Sequence, residues 1–224
     1  MQIIWYGQSF FQILTQKSKD NVVKIVIDPF DEKIGLKPPS LEADILLITH
    51  NHSDHNNAKA IKGSPFLISG PGEYEKGGVC IQGIPAFHDN AVGKERGETT
   101  IYTLESEGIK ICHLGDLGQK ELTDEQLEKI GDVDILMIPV GGVPHQNHWW
   151  GTISDKEATK TISQIEPKIV IPMHYQIPKL KVKLEGLDKF LKVMGVKSPE
   201  ILKKFSIGQK NLPTEGMKII ILKP

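Results

Sequence analysis

Six consecutive residues, His50 to His55, carry the side chains of this chain that are best suited to chemistry. Their order is His-Asn-His-Ser-Asp-His. Imidazole is the commonest metal ligand in proteins, and a neighbouring carboxylate adds an oxygen donor. The run follows the apolar segment 44–49, so it is predicted to lie where a buried strand ends and the backbone turns. A tight turn there lets His50 and His52 face one way while Asp54 and His55 face another, as two adjacent metal ions would require.

Three further candidate ligands stand directly after later apolar runs. They are His88, Asp116 and His174. Strand ends that line one edge of a sheet converge in space although they are far apart in the sequence. Because two metal ions need about six or seven protein ligands, these three residues would complete the set that the run at 50–55 begins.

The elements that must position these residues change in character along the chain. Short strands separated by turns are predicted first, and helices alternate with strands later. The predicted strands cover residues 2–6, 10–14, 22–27, 44–49, 65–69, 78–84, 99–105, 109–113, 132–139, 168–173 and 218–222. This order predicts an α/β (α+β) fold in which two sheets pack together with helices outside.

Helices are predicted from their start and stop signals. Capping boxes begin at Thr123 and Ser154, and Gly195 stops a later amphipathic stretch. A further helix is expected directly after the histidine-rich run, with its positive N-terminal end beside the ions. The predicted helices cover about 54–62, 124–130, 155–165 and 187–194.

The order of the candidate ligands resembles the metallo-β-lactamase fold superfamily. The similarity is carried by the H-x-H-x-D-H motif at 50–55, His88, Gly115-Asp116, Met173-His174 and the early strand-end residue Asp28. Longer phrases at 70–75, 112–118, 138–142 and 171–175 are similar to small prokaryotic metal-dependent hydrolases, a branch that includes L-ascorbate-6-phosphate lactonase. The resemblance spans essentially the whole chain. It implies a four-layer αββα sandwich with the metals at one edge of the two sheets.

The resemblance also implies a role for each candidate. Site one would use His50, His52 and His88, site two would use Asp54, His55 and His174, and Asp116 would bridge both ions together with a water or hydroxide. Two divalent ions lower the pKa of bound water from about 15.7 to about 7 and polarise the bond that is cleaved. Asp54 would orient the nucleophile or return a proton to the leaving group. Asp28 and His113 would hold the ligands in orientation.

The implied ligands contain only nitrogen and oxygen donors. Such a set accepts zinc, manganese, iron, cobalt or nickel, and the order of affinities does not choose among them. Zinc is the expected ion, and manganese is its rival because the resembled lactonase uses it. The expected reaction is hydrolysis of a lactone, an ester or a phosphorylated small metabolite.

Loops around 70–75, 93–97 and 143–151 are expected to choose the substrate. Arg96 is a candidate to hold a carboxylate or phosphate, with an ordinary surface arginine as the alternative. Further candidates for substrate contact are His145, His148, Trp149, Trp150 and Tyr175. The alternative for the loop around 143–151 is a capped surface loop or a contact between subunits.

Length and composition restrict the classes of protein that remain. The 224 residues are expected to form one domain, 1–224, with two halves at about 1–115 and 116–224. A net charge of −1 gives no general attraction to nucleic acid, which is not expected as a partner. Two cysteines and the lack of a signal or membrane-spanning segment predict a cytoplasmic protein with no membrane contact. A homo-oligomer is expected.

Two other kinds of function stay open from the sequence. A nuclease or phosphodiesterase of the same fold would need an RNA- or DNA-binding surface. A diiron redox protein, or a metal-binding scaffold without catalysis, would use the same ligands for different chemistry. Relatives of the diiron kind usually replace a histidine of the motif by glutamate, and that replacement is not present at 50–55.

Overall fold

The computed structural model describes residues 1–18, 21–144 and 149–224. Eleven strands precede the first α-helix. They are β1 (Gln2–Trp5), β2 (Phe11–Ser18), β3 (Asn21–Ile27), β4 (Leu41–Glu42), β5 (Ile45–Leu47), β6 (Ile61–Lys62), β7 (Phe66–Ile68), β8 (Gly72–Lys76), β9 (Val79–Phe87), β10 (Glu98–Ser106) and β11 (Ile109–His113).

Helices and strands alternate in the rest of the chain. The elements are α1 (Asp124–Ile130), β12 (Ile135–Pro139), β13 (Val143–Pro144), β14 (Trp149–Trp150), α2 (Asp155–Ile165), β15 (Ile169–Met173), α3 (Leu187–Val193), β16 (Glu200–Leu202), β17 (Phe205–Ser206) and β18 (Lys218–Leu222). Short 3-10 turns cover Glu32–Ile34, Ala58–Ala60 and Gln209–Asn211.

Most strands belong to two sheets. The first has six strands in the order β17-β1-β2-β3-β5-β7, and the second has eight in the order β16-β18-β15-β12-β11-β10-β9-β8. The chain passes from the first sheet to the second between β7 and β8, and β17 returns to pair antiparallel with β1. The predicted sandwich fold is confirmed.

The central strands are buried on both faces. Every residue of β5, β12 and β15 is buried. Continuous apolar runs of this kind suit parallel strands that are covered on each side. Here β3 is parallel to β5, and β11, β12 and β15 are parallel to one another. Their carboxyl ends therefore share an edge, where Asp28 follows β3 and His174 follows β15.

Three predicted helices are confirmed, and their caps explain where they begin. Thr123 accepts a hydrogen bond from the Gln126 backbone at the start of α1, and Ser154 accepts one from Glu157 at the start of α2. Each capping box is reciprocal, so backbone N–H groups at the N-terminal ends of both helices find hydrogen-bond partners nearby.

No helix among the described residues is long and apolar enough to cross a membrane.

The helix predicted over 54–62 is wrong. The segment after His55 forms a single turn, the 3-10 turn Ala58–Ala60 and the short strand β6. Asparagine is a weak helix former, and Asn57 makes two hydrogen bonds to a segment that is distant in the sequence. Its backbone N–H donates to the Pro29 carbonyl at 2.8 Å, and its side chain donates to the Phe30 carbonyl at 3.0 Å. These contacts tie the turn to the loop after β3 instead of continuing a helix.

Several edge strands lack a sequence signal. Strand β8 reads Gly-Glu-Tyr-Glu-Lys, and β16 and β17 are only a few residues long. Charged residues and short length are typical of strands at the edge of a sheet, where they discourage pairing with other chains. The same features remove the apolar alternation from which a strand is predicted.

Candidate metal centre

Two groups of side chains meet at the shared edge of the sheets. The three-histidine group consists of His50, His52 and His88, and the mixed group consists of Asp54, His55, Asp116 and His174. Within each group the candidate ligand atoms lie within 4.8 Å of one another. The structure thus brings together all seven residues that were predicted as ligands from the sequence. The residues of the run at 50–55 are distributed between the two groups.

Asp116 lies between the two groups. Its Oδ2 atom is 3.1 Å from His55 Nε2 and 3.2 Å from His174 Nε2, both in the mixed group. The same oxygen is 3.5 Å from His88 Nε2 in the three-histidine group. Ser9 Oγ donates a hydrogen bond to the other carboxylate oxygen at 3.3 Å. One buried carboxylate is therefore within reach of both groups.

Close packing explains why glycine precedes this aspartate. Gly115 has a φ of 54°, and a Cβ there would lie 2.9 Å from side-chain atoms of Thr49 and of Thr99. No ordinary side chain fits that space or prefers that backbone conformation. The turn at Gly115 thus allows Asp116 to lie soon after the end of β11, between the two groups of ligands.

Asp28 holds one histidine of the mixed group by a direct hydrogen bond. His55 Nδ1 donates to Asp28 Oδ2 at 2.8 Å, and both side chains are fully buried. This contact fixes the ring so that the Nε2 atom faces the centre. That atom lies 3.1 Å from Asp116 Oδ2. An orienting carboxylate behind a histidine is the usual arrangement around a protein-bound metal.

The same aspartate reaches the three-histidine group through Thr49. The Thr49 hydroxyl donates to Asp28 Oδ2 at 2.6 Å and lies 3.0 Å from His50 Nδ1. A hydroxyl has one proton, and a carboxylate can only accept, so His50 Nδ1–H must donate to Thr49. The lone pair of His50 is therefore on Nε2, which is buried and has no hydrogen-bond partner in the described part of the chain.

His113 supports the centre without offering a ligand atom. The Gly115 backbone N–H donates to His113 Nδ1 at 3.1 Å, which places the ring proton on Nε2. That nitrogen donates to the Ser9 carbonyl, also at 3.1 Å. Because both nitrogens are engaged, neither has a lone pair for a metal. His113 instead links the turn before Asp116 to the turn that carries Ser9.

Burial and neighbouring charges set the protonation of the centre. Burial lowers the pKa of His50, and it lowers the pKa of His88 to about 4. Burial also opposes the charge on His174, but the Asp116 carboxylate outweighs it and raises that pKa to about 9. Burial alone would raise the Asp116 pKa, and the charges of His174 and His55 instead hold it well below its usual range. The three-histidine group is thus neutral, and the mixed group pairs opposite charges.

This arrangement fits divalent metal ions. Neutral imidazoles and ionised carboxylates are the forms that bind metal, and a bound ion takes the place of the protons in the mixed group. His50 Nε2 is buried and has no hydrogen-bond partner among the described residues, and a metal would satisfy its lone pair.

Arg96 belongs to a loop that one buried carboxylate organises. Asp89 accepts four backbone hydrogen bonds, from Ala91, Gly93, Glu95 and Arg96. The adjacent His88 N–H donates to the Gly97 carbonyl at 3.0 Å, which closes the loop. The positive charge of Arg96 is among the influences that lower the pKa values of His52 and His88. The predicted anion-binding residue therefore lies beside the three-histidine group.

The other predicted substrate contacts have different outcomes. His145 and His148, together with the side chains of Trp149 and Trp150, lie outside the described residues. The Tyr175 ring is buried against Trp5, with ring centroids 5.1 Å apart, and lines an apolar cavity of about 810 Å³ with Tyr6. A substrate contact of Tyr175 stays a prediction.

Gln8 and Ser9 are parts of the centre that sequence reasoning missed. Gln8 Nε2 lies 3.5 Å from Asp54 Oδ2 and 3.4 Å from His174 Nε2, and Ser9 contacts Asp116. The one available signal was a polar pair after Gly7, between two apolar runs. That signal marks a turn, but it does not reveal which strand ends the turn will meet.

Comparison with known proteins identifies relatives that are similar to this chain over most of its length. Residues 2–174 match the Beta-lactamase superfamily domain. A UPF0173 metal-dependent hydrolase of Thermococcus onnurineus is 30% identical, over 91% of this chain and 96% of its own length. A crystal structure from Thermotoga maritima, described as that of a proposed Zn-dependent hydrolase of the metallo-β-lactamase superfamily, is 34% identical. It covers 99% of this chain and 97% of its own, with a TM-score of 0.77.

A more distant structure shares the fold alone. The isothiocyanate hydrolase from Delia radicum gut bacteria is 12% identical, with a TM-score of 0.70 over 93% of this chain and 99% of its own. The sandwich and its edge-bound histidine and aspartate groups define the metallo-β-lactamase class, and the chain belongs to that superfamily. Within this class it is a metal-dependent hydrolase, similar to the UPF0173 proteins.

Proposed function

We propose that this enzyme uses two divalent ions to hydrolyse a lactone, an ester or a phosphorylated small metabolite. The observation that carries the proposal is the position of Asp116, whose Oδ2 atom lies 3.1 Å from His55 Nε2 and 3.5 Å from His88 Nε2. A carboxylate shared by two ligand groups favours a pair of ions over one ion. The resemblance to L-ascorbate-6-phosphate lactonase suggests the substrate classes.

In this proposal each group holds one ion. The residues are His50, His52 and His88 for the first, Asp54, His55 and His174 for the second, and Asp116 for both. Such ions supply a water that is activated at neutral pH and polarise the scissile carbonyl or phosphoryl oxygen. The Asp54 side chain is 20% exposed, whereas that of His55 is fully buried, so substrate can reach the Asp54 carboxylate. In this proposal it orients the nucleophile or returns a proton to the leaving group.

We assign zinc to the three-histidine group. Three imidazoles form a familiar set of protein ligands for catalytic zinc. The relative from Thermotoga maritima is also described as a proposed Zn-dependent enzyme. Manganese, iron, cobalt and nickel suit nitrogen and oxygen donors as well, so the donor set of the mixed group decides its ion separately.

We further propose that Arg96 binds an anionic group of the substrate beside the three-histidine group. It is the only arginine in the chain. Arginine binds carboxylate or phosphate through two parallel hydrogen bonds, which a lysine cannot reproduce. The four hydrogen bonds that Asp89 accepts hold the backbone of its loop in one conformation. This support favours a fixed position for the guanidinium.

Arg96→Gln is expected to lower kcat/KM about 10- to 100-fold for an anionic ester, because a charged hydrogen bond is worth about 1.5–3 kcal/mol. The matched neutral ester should lose little. Steady-state kinetics on the two esters measure the difference. Lys94→Gln, which removes an exposed charge from the same loop, is the control. Equal losses on both esters in Arg96→Gln would show that Arg96 does not recognise the anion.

The proposed function is tested with purified protein carrying two equivalents of metal. It is assayed on lactones, carboxylic esters, phosphomonoesters, phosphodiesters and single-stranded RNA. Turnover of a small substrate that is lost in His50→Ala supports the proposal, because His50 is assigned as a ligand of the first ion. Cleavage of RNA alone would assign a nuclease instead, and no turnover by the metal-loaded protein would overturn hydrolysis of these substrates.

We also propose that the enzyme acts in the cytoplasm. Both cysteines are free, and Cys80 is exposed on the surface. An exposed thiol is kept reduced in the cytosol, whereas oxidising compartments favour disulfides. The buried Cys112, whose pKa burial raises to about 12, is a small core residue and is not expected to react.

A further inference from the structure

Gln8 is held in an uncommon backbone conformation beside the mixed group. It lies in the turn between β1 and β2, is fully buried and has a φ of 50°. Its carbonyl accepts hydrogen bonds from Trp5 Nε1 at 2.8 Å and from the His174 backbone at 3.2 Å. Residues other than glycine rarely adopt this region, and those that do cluster at functional sites. The backbone of Gln8 is thus fixed to the strand end that carries His174.

The side-chain amide of Gln8 is poorly satisfied by protein groups. Its Nε2 atom is 3.5 Å from Asp54 Oδ2 and 3.4 Å from His174 Nε2. Its Oε1 atom is buried and has no hydrogen-bond partner among the described residues. Buried amide oxygens are almost always paired, so an unpaired one beside a candidate metal centre points to a missing partner.

Metal binding by the mixed group would leave the Gln8 amide in contact with atoms that are already bound to the ion. When His174 Nε2 and Asp54 Oδ2 bind an ion, the His174 nitrogen cannot accept a hydrogen bond from the Gln8 amide. A half-turn about the last side-chain bond exchanges the two ends of the amide. Oε1 then takes the place between His174 and Asp54, where both neighbouring atoms face the same ion. The exchange gives the amide oxygen a partner that no protein group offers it.

We propose that Gln8 Oε1 is a further ligand of the mixed group, an inference that rests on the proposed two-metal centre. The group then offers three oxygens and two nitrogens. The oxygens come from Asp54, Asp116 and Gln8, and the nitrogens come from His55 and His174. Carboxylate and carbonyl oxygens suit manganese, whereas a compact nitrogen set suits tetrahedral zinc. The mixed group therefore accepts a harder ion such as Mn²⁺ more readily than the three-histidine group does.

The test measures manganese binding and not activity. Protein that carries one equivalent of Zn²⁺ is titrated with Mn²⁺, and the electron paramagnetic resonance signal of free Mn²⁺ reports binding. Gln8→Leu is expected to weaken Mn²⁺ binding about 10- to 100-fold and to leave the zinc affinity unchanged. Gln12→Leu is the matched control, because its amide accepts from the Tyr6 hydroxyl at 3.1 Å and takes no part in the centre.

A second variant protects the test from a folding defect. Gln8→Gly removes the side chain and suits the positive φ, so the turn should form without strain. We expect Gln8→Gly to lose Mn²⁺ affinity as Gln8→Leu does. A cooperative thermal unfolding transition would show that the variant is folded. Unchanged Mn²⁺ affinity in either folded variant overturns the proposal.

The result also separates this inference from the proposed function. Parent protein that binds zinc and manganese, loses manganese in both Gln8 variants and hydrolyses none of the substrates would support the ligand role of Gln8. It would overturn the hydrolysis of those substrates. Parent protein that hydrolyses a substrate while Gln8→Leu keeps its manganese affinity would support the function and overturn the ligand role.

Discussion

Asp116→Asn is expected to weaken the binding of both metal ions and to lower kcat by more than about 100-fold. This loss exceeds the roughly 10- to 100-fold that is typical when a residue that only hydrogen-bonds to a metal ligand is replaced. The substitution keeps the volume of the side chain and one oxygen that can accept from Ser9. It replaces the other oxygen by an amide nitrogen, or exchanges the two. Either way the side chain loses the negative charge that lies within 3.5 Å of nitrogens from both groups. Mass-spectrometric metal analysis and steady-state kinetics measure the two losses.

A second aspartate offers a control for this substitution. Asp44 is exposed and accepts a hydrogen bond from the Lys24 backbone at 2.8 Å, away from both groups. Asp44→Asn removes the same charge and should keep two ions and full activity. Two bound ions in Asp116→Asn would contradict the bridging position. Loss of one ion alone would assign Asp116 to a single group.

Much of the centre could be predicted because its ligands obey a local rule. His50, Asp116 and His174 each follow an apolar run closely, and such runs become buried strands whose ends meet at one edge. The division of the run at 50–55 between two groups follows from the turn after β5. Imidazoles and carboxylates at this density have few other uses, so residue type and position together identified the candidates.

The remaining parts depend on contacts between segments that the sequence does not bring together. Gln8 reaches Asp54 and His174 because the turn between β1 and β2 packs against the end of β15. Ser9 reaches Asp116 because the same turn contacts His113 at the end of β11. Nothing in a polar pair after Gly7 indicates that packing. The wrong helix over 54–62 has a related cause, because contacts of Asn57 with Pro29 and Phe30 override any local preference.

Asp28→Asn is expected to lower the affinity of both groups for metal by about 10- to 100-fold each, although Asp28 itself binds none. Its two oxygens accept three hydrogen bonds, from the Thr49 backbone, the Thr49 hydroxyl and His55 Nδ1. An asparagine has one accepting oxygen, so at least one of these donors would face an NH₂ group. Leaving a buried donor unpaired costs about 1–3 kcal/mol, and the free energy of unfolding should fall by that amount. Metal titration and urea unfolding measure the two effects.

Thr49→Val distinguishes between the two hydrogen-bond connections from Asp28 to the metal ligands, one through Thr49 to His50 and one directly to His55. It removes the hydroxyl that joins Asp28 to His50 Nδ1 and keeps the direct bond from Asp28 to His55. Thr49→Val should therefore weaken the ion of the three-histidine group alone, whereas Asp28→Asn weakens both. Equal losses at the two groups in Thr49→Val would mean that the groups bind metal as one unit. No loss at the three-histidine group would mean that the orientation of His50 is set by its ring packing, and that Asp28 supports only the mixed group.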